Sequence, residues 1–187
     1  VLHFPTNGWF PQRVLECARL ARTLRPDVDL LVTVSVDGPP DLHDRLRGRR
    51  GAYRRAVETW RGLRSLRGVE VRAGTTVGPD NVGALRALLD AMHKDLDGFE
   101  DRLWHLNLVQ VSRHFFANEG IQGLTGPQAE HALRLGLRVR WPPTSLVDLM
   151  EATYQVHAIA EARGERPGFQ CHALHSGAFI SSEAVLY

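Results

Sequence analysis

Ser35, Asp37, His43, Asp44, Arg45 and Arg47 crowd into one short stretch, "SVDGPPDLHDRLR". They supply a hydroxyl, carboxylates, an imidazole and guanidinium groups. Such a set can hydrogen-bond a polar small molecule at close range and pair with its carboxylate or phosphate. The stretch ends an apolar, β-branched run, Leu30 to Val36, and breaks at Asp37-Gly38-Pro39-Pro40. A core strand needs neither Ser35 nor Asp37, whereas a strand tip facing a ligand uses both. A polar turn has the same composition, and His43 to Arg47 also suit a solvated helix entrance.

Other candidates are scattered. His105 and Asn107 share one parity of a strand and Gln110 and Ser112 the other, so only one set faces inward. His114, Phe115 and Phe116 follow. Cys171, His172 and His175 are metal-ligating types, one ligand short of tetrahedral zinc. Cys17 has Leu and Ala neighbours on a helix and reads as a buried small hydrophobe. No Ser-His-Asp spacing, phosphate-cradling glycine loop or paired-carboxylate signature is present.

The elements that must position these residues alternate. "VLHF" reads as a strand ending at Thr6-Asn7-Gly8. Pro11 opens a helix with Val14, Leu15, Ala18, Leu20, Ala21 and Leu24 as its apolar stripe, and Pro26 stops it. "LLVTVSV" is a continuous run suited to a parallel strand covered on both faces. The spacing predicts a helix from Gly51 to Leu66, then the strand "VEVRAGTTV", then a helix capped by Asp80 or Asn81. "LWHLNLVQVS" is the fourth strand, and a last long helix runs from Thr144 to Arg163. Between them, "RHFFANEGIQGLTGP" is a long glycine-containing connection. Repeated strand–helix units predict a parallel sheet, open or barrel-like. Ligands of such folds sit at the C-terminal strand ends. That rule selects Thr6 and Asn7, Ser35 and Asp37, Thr75 and Thr76, and Gln110 and Ser112.

A chain of 187 residues, 43% of them hydrophobic, suits one domain with a sizeable core. Its 23 basic and 21 acidic residues argue against electrostatic nucleic-acid binding. No apolar run approaches the ~20 residues of a membrane span. Two cysteines make no disulfide scaffold, and a reducing, cytoplasmic setting is the default. The chain opens at Val1 inside a strand-like run and closes on "AVLY", which predicts a piece of a longer protein.

"TVSVDGPPDLHDRLRGRRGAYRRAVETWRGLRS" resembles the fourth strand, turn and helix of radical S-adenosylmethionine enzymes, in the branch with a C-terminal auxiliary-cluster (SPASM/twitch-like) region. "FPTNGW" resembles the third strand of that family, and "VEVRAGTTVGPDNVGALRALLD" its fifth strand and helix. The resemblance implies an α/β fold, a partial (β/α) barrel with parallel strands truncated at its N-terminal side. Residues 1–166 would form the barrel portion and 167–187 the start of an auxiliary-cluster-like extension. Residue matching implies cofactor contacts from Thr6, Ser35 and Asp37; the strand-end rule adds Asn7, Thr75 and Ser112, and Arg45, Gln110 and His114 are substrate-side candidates. Cys171 matches an auxiliary-cluster ligand. The implied cofactors are S-adenosylmethionine and a 4Fe–4S cluster that cleaves it reductively, so that hydrogen is abstracted from a substrate such as a peptide or protein. A reductant such as flavodoxin or ferredoxin would be a partner. The family's C-x-x-x-C-x-x-C loop does not occur in these residues. The cluster ligands therefore lie outside this chain, and the isolated chain is expected to be inactive. Two other readings stay open: a non-radical α/β small-molecule-binding protein and an interaction module.

Overall fold

The structure, a computed structural model, describes residues 1–111 and 118–165. Ser112, His114 with its aromatic neighbours, Cys171 with its histidines and the whole 167–187 extension lie outside the described residues.

Four strands, β1 (Leu2–Thr6), β2 (Leu30–Ser35), β3 (Val69–Val77) and β4 (Trp104–Leu108), pair in parallel in the order β1-β2-β3-β4. Sequential parallel order has a geometric consequence. Crossovers between parallel strands are right-handed as a rule, which returns the connecting helices to one side of the sheet. The result is singly wound, a stretch of (β/α) barrel with an outer, helix-covered face and an inner face.

Side-chain chemistry divides along that line. The outer face carries Val32, Val34, Val71, Ala73 and Leu106, all fully buried. They pack under Trp60 and Leu63 of α3 (Ala52–Arg64) and belong to one core with Leu88 and Met92 of α4 (Leu85–Asp95). Each buried valine and leucine among them contributes about 1.5–3 kcal/mol by leaving water. The inner face, Pro5 and Leu31 apart, is lined largely by polar positions, among them His3, Thr33, Ser35, Arg72, Thr76, His105 and Asn107.

The first helix, α1 (Pro11–Leu24), keeps the predicted bounds but buries a narrower stripe. Leu20 and Leu24 are 58% and 67% exposed, and Cys17 is exposed rather than buried. These residues lie on the side of α1 turned away from Val14, Leu15 and Ala18. A short α2 (Pro40–Leu46) follows the Gly38-Pro39-Pro40 break. Its Asp44 carboxylate accepts the N–H groups of Gly51 (2.5 Å) and Tyr53 (2.8 Å), so α2 caps the start of α3. Asn81 does not cap α4 through its side chain. Its amide ties strand tips together instead, as described below.

Periodicity alone did not reveal α5 (Gly126–Arg140). Half of its buried residues are small (Ala129, Ala132, Gly136), which weakens the apolar stripe. Its entrance does carry a signal, the reciprocal capping box of Thr125 and Gln128. The last described helix, α6 (Leu146–Ala162), is capped by Ser145, whose hydroxyl accepts the Asp148 N–H at 3.1 Å. It packs on α5, and Glu130 accepts from both Arg134 and Arg163 at 2.7 Å to bind the two helices. No helix among the described residues is long and apolar enough to cross a membrane.

Candidate functional site at the C-terminal strand edge

The predicted strand tips that the structure describes share one edge, but their side chains do not share one face. Ser35 lies on the inner face, half-buried, with Thr76 and Asn107 in the same orientation. The hydroxyls of Ser35 and Thr76 and the amide of Asn107 make no hydrogen bond among the described residues. Thr75 points the other way. It is 1% exposed, donates to the Val36 carbonyl at 2.6 Å and accepts the Trp104 indole N–H at 2.8 Å. Thr6 also takes the outer parity, and its hydroxyl accepts the Gly8 N–H at 3.1 Å. Asn7 stands at the tip, its Oδ1 accepting the Trp9 N–H at 3.0 Å.

Asp37 is a structural hub. Only 7% exposed, it accepts the Thr76 N–H at 3.0 Å and pairs with Arg47 at 2.5 Å. Its own N–H donates to Nδ1 of His43 at 3.0 Å, and its carbonyl accepts from the Asn81 amide at 2.8 Å. Asn81 also reaches the Thr76 carbonyl and the Gly78 N–H. One residue thus joins β2, β3, α2 and the β3–α4 turn. His43 is wholly buried against Tyr53. Burial pushes its pKa down, outweighing the pull of the Asp37 carboxylate, so it serves Asp37 as a neutral acceptor. Arg45, read as a substrate contact, is exposed on α2; Arg47, two residues on, is the arginine that meets the rim.

Three clefts run along this edge. The first, about 260 Å³, lies between the β1 tip and the α2–α3 turn, where the Arg49 guanidinium stacks on Trp9 at 4.0 Å. Arg47 lines it and also the second, about 350 Å³, over the β2 and β3 tips. Thr76 and Val109 line both the second cleft and the third, about 330 Å³, which adds Asn107, Gln110 and Tyr154. Gln110 is exposed, and its carbonyl accepts from Asn118 at 2.8 Å.

No family model and no curated protein matches the chain. Among solved structures, native anSMEcpe with bound AdoMet and Kp18Cys peptide is similar in chain path. It shows 15% identity over 73% of this chain and 35% of that one, with a TM-score of 0.46. The chain therefore spans about a third of that protein's length. At that likeness no residue role is carried across.

Inward of the clefts sits a second polar group that the sequence did not connect. His105 Nδ1 lies 2.9 Å from Glu151 Oε1 of α6. Burial alone would raise the Glu151 pKa; the His105 contact and the Arg140 and Arg72 charges bring it below the usual carboxylate range. Burial lowers the His3 pKa, aided by His105 and Arg72. No group of three or more metal-ligating side chains occurs among the described residues.

The donor set decides which cofactor these residues suit. Uncommitted hydroxyl and amide groups at a cleft edge fit the ribose or amino-acid end of a nucleoside-linked ligand. They do not fit an iron–sulfur cluster, since Cys17, exposed on α1, is the one cysteine among the described residues.

Proposed function

We propose that the chain forms the second half of a radical S-adenosylmethionine site, working with a cluster-binding segment that these 187 residues do not contain. The carrying observation is Ser35. The serine of the Ser-x-Asp-Gly-Pro-Pro stretch faces inward at the C-terminal edge with a free hydroxyl, beside inward-facing Thr76 and Asn107. Asp37 holds the shape of that tip rather than offering itself to a ligand. When bound, S-adenosylmethionine supplies a sulfonium that is a radical precursor; this chain's share is to bind and orient it. The cleft beside Asn107, Gln110 and Tyr154 is the substrate side, open to a peptide or other extended molecule. Reductive cleavage is not assigned to any residue here.

Calorimetry on the chain with S-adenosylmethionine tests the reading. Saturable binding is expected, weakened about 2- to 13-fold by Ser35→Ala, the loss of one neutral hydrogen bond, with an unchanged thermal midpoint. Absence of binding, or equal binding by the variant, overturns it. A second reading is a small-molecule-binding α/β protein without radical chemistry, in keeping with Cys17 as the one cysteine among the described residues. It predicts adenosine bound as well as S-adenosylmethionine.

A further inference from the structure

We propose that His105, held by Glu151, is the acid–base group of this inner-face site and exchanges a proton with the ligand seated over Gly74. The inference rests on the reading of Ser35 as the cofactor-side contact and adds the group that faces it.

The register carries the argument. Ser35 pairs with Gly74, and Gly74 pairs with His105. Neighbours in register on parallel strands point to the same side, so Ser35 and His105 flank one inner-face row, about 9.5 Å apart at the backbone. The residue between them has no side chain. A Cβ on Gly74 would stand 2.5 Å from the Thr33 methyl, so the floor between Ser35 and His105 is backbone and that methyl alone. Two positions along β4 from His105, Asn107 opens into the third cleft beside Tyr154, one turn beyond Glu151 on α6.

The pairing sets the proton inventory. His105 Nδ1 lies 2.9 Å from the Glu151 carboxylate, and with Nδ1 donating there a neutral ring carries its lone pair on Nε2. The second Glu151 oxygen is buried with no hydrogen-bond partner, so His105 is the one hydrogen-bonding neighbour of that carboxylate among the described residues. Other titratable groups surround the pair: His3 from β1, Glu70 and Arg72 from β3, Arg140 from α5, Asp148 and Tyr154 from α6. Each has a role elsewhere or acts at longer range. His3 contacts Thr33, Arg72 pairs with Glu70, and Arg140 reaches the Trp104 and Arg102 carbonyls and lies 3.7 Å from Asp148. In the forward step a ligand O–H or N–H bond breaks and an Nε2–H bond forms. The imidazolium is balanced by the Glu151 carboxylate, and the electron pair stays on the ligand heteroatom. The reverse step returns the proton. No electron is transferred.

An ion pair that merely clamps α6 to β4 makes the same contact but ignores the ligand. Nitrogen NMR of the full 187-residue chain with isotope-labelled histidine separates the two, His105→Gln assigning the signals. The expected spectrum shows His105 protonated on Nδ1 and bare on Nε2. Saturating S-adenosylhomocysteine should shift its Nε2 signal and leave exposed His93 on α4 unmoved. Glu151→Gln should release the tautomer to Nε2–H; should that variant fail to fold, the wild-type tautomer and its ligand response decide alone. An Nε2–H tautomer in the wild type overturns the inference. So does an unmoved His105 signal while calorimetry reports binding, a result that leaves the cofactor reading standing. Absence of binding by calorimetry removes the cofactor reading and this inference together.

Discussion

The Arg47 guanidinium lies 2.5 Å from the buried Asp37 carboxylate, and this pair locks the β2 tip to α2. The same carboxylate holds the Thr76 N–H of the neighbouring strand. Asp37→Ala strips both partners at once. A loss of about 1.5–3 kcal/mol is expected, the range for hydrogen bonds to a charged group. Urea unfolding checks it. A variant as stable as wild type would show that the rim does not depend on Asp37.

Stability should fall in mild acid through His43. Its folded pKa is pushed below the ordinary value of 6.5 by burial. The unfolded chain therefore takes up the proton first. The His43 contribution is fully present above about pH 6.5 and is lost as pH drops through the folded value. A protonated Nδ1 can no longer accept the Asp37 N–H. Unfolding midpoints for wild type and His43→Gln between about pH 8 and about pH 5 should converge as the pH falls. Parallel curves would place the acid sensitivity elsewhere.

Gly8 is bound to its conformation twice over. Its φ is +68°, and a Cβ there would meet the Ala56 Cα of α3 at 2.8 Å. Thr59 also donates to the Gly8 carbonyl at 2.8 Å. Gly8→Ala combines a left-handed backbone with overpacking, an expected loss of about 2–4 kcal/mol. Chemical denaturation measures it directly; a cost within about 0.5 kcal/mol, the usual range for a neutral surface change, would mean that the β1 tip moves freely over α3.

Anaerobic iron–sulfur reconstitution of the chain alone should leave it colourless. Two cysteines, one of them isolated on α1, cannot supply the thiolates of a four-iron cluster. Stoichiometric bound iron with visible charge-transfer absorbance would contradict this.

Much of the framework is local and was legible in the residues. Pro11 and Pro26 bracket α1, the β-branched run at 30–36 makes β2, and period-two alternation marks β3. Hydrophobic repeat and turn chemistry act over a few residues, so they can be read without knowing the partners. The polar character of the strand tips was legible for the same reason. Tertiary structure alone decided which side of each strand meets the helices. Thr75 and Thr76 are indistinguishable in a sequence, yet one is sealed under Trp104 and the other opens into a cleft. The direction of the crossovers and the packing of α3 and α4 make that choice, and neither is a property of the strand itself. Asp37 looked like a ligand contact because a carboxylate at a turn suits either role. Its partners Arg47, Thr76 and Asn81 come from three other segments and commit it to the frame. His105 and Glu151 are the extreme case: nothing near either residue names the other, and only α6 folding back over α5 brings a carboxylate to the one histidine that shares a row with Ser35.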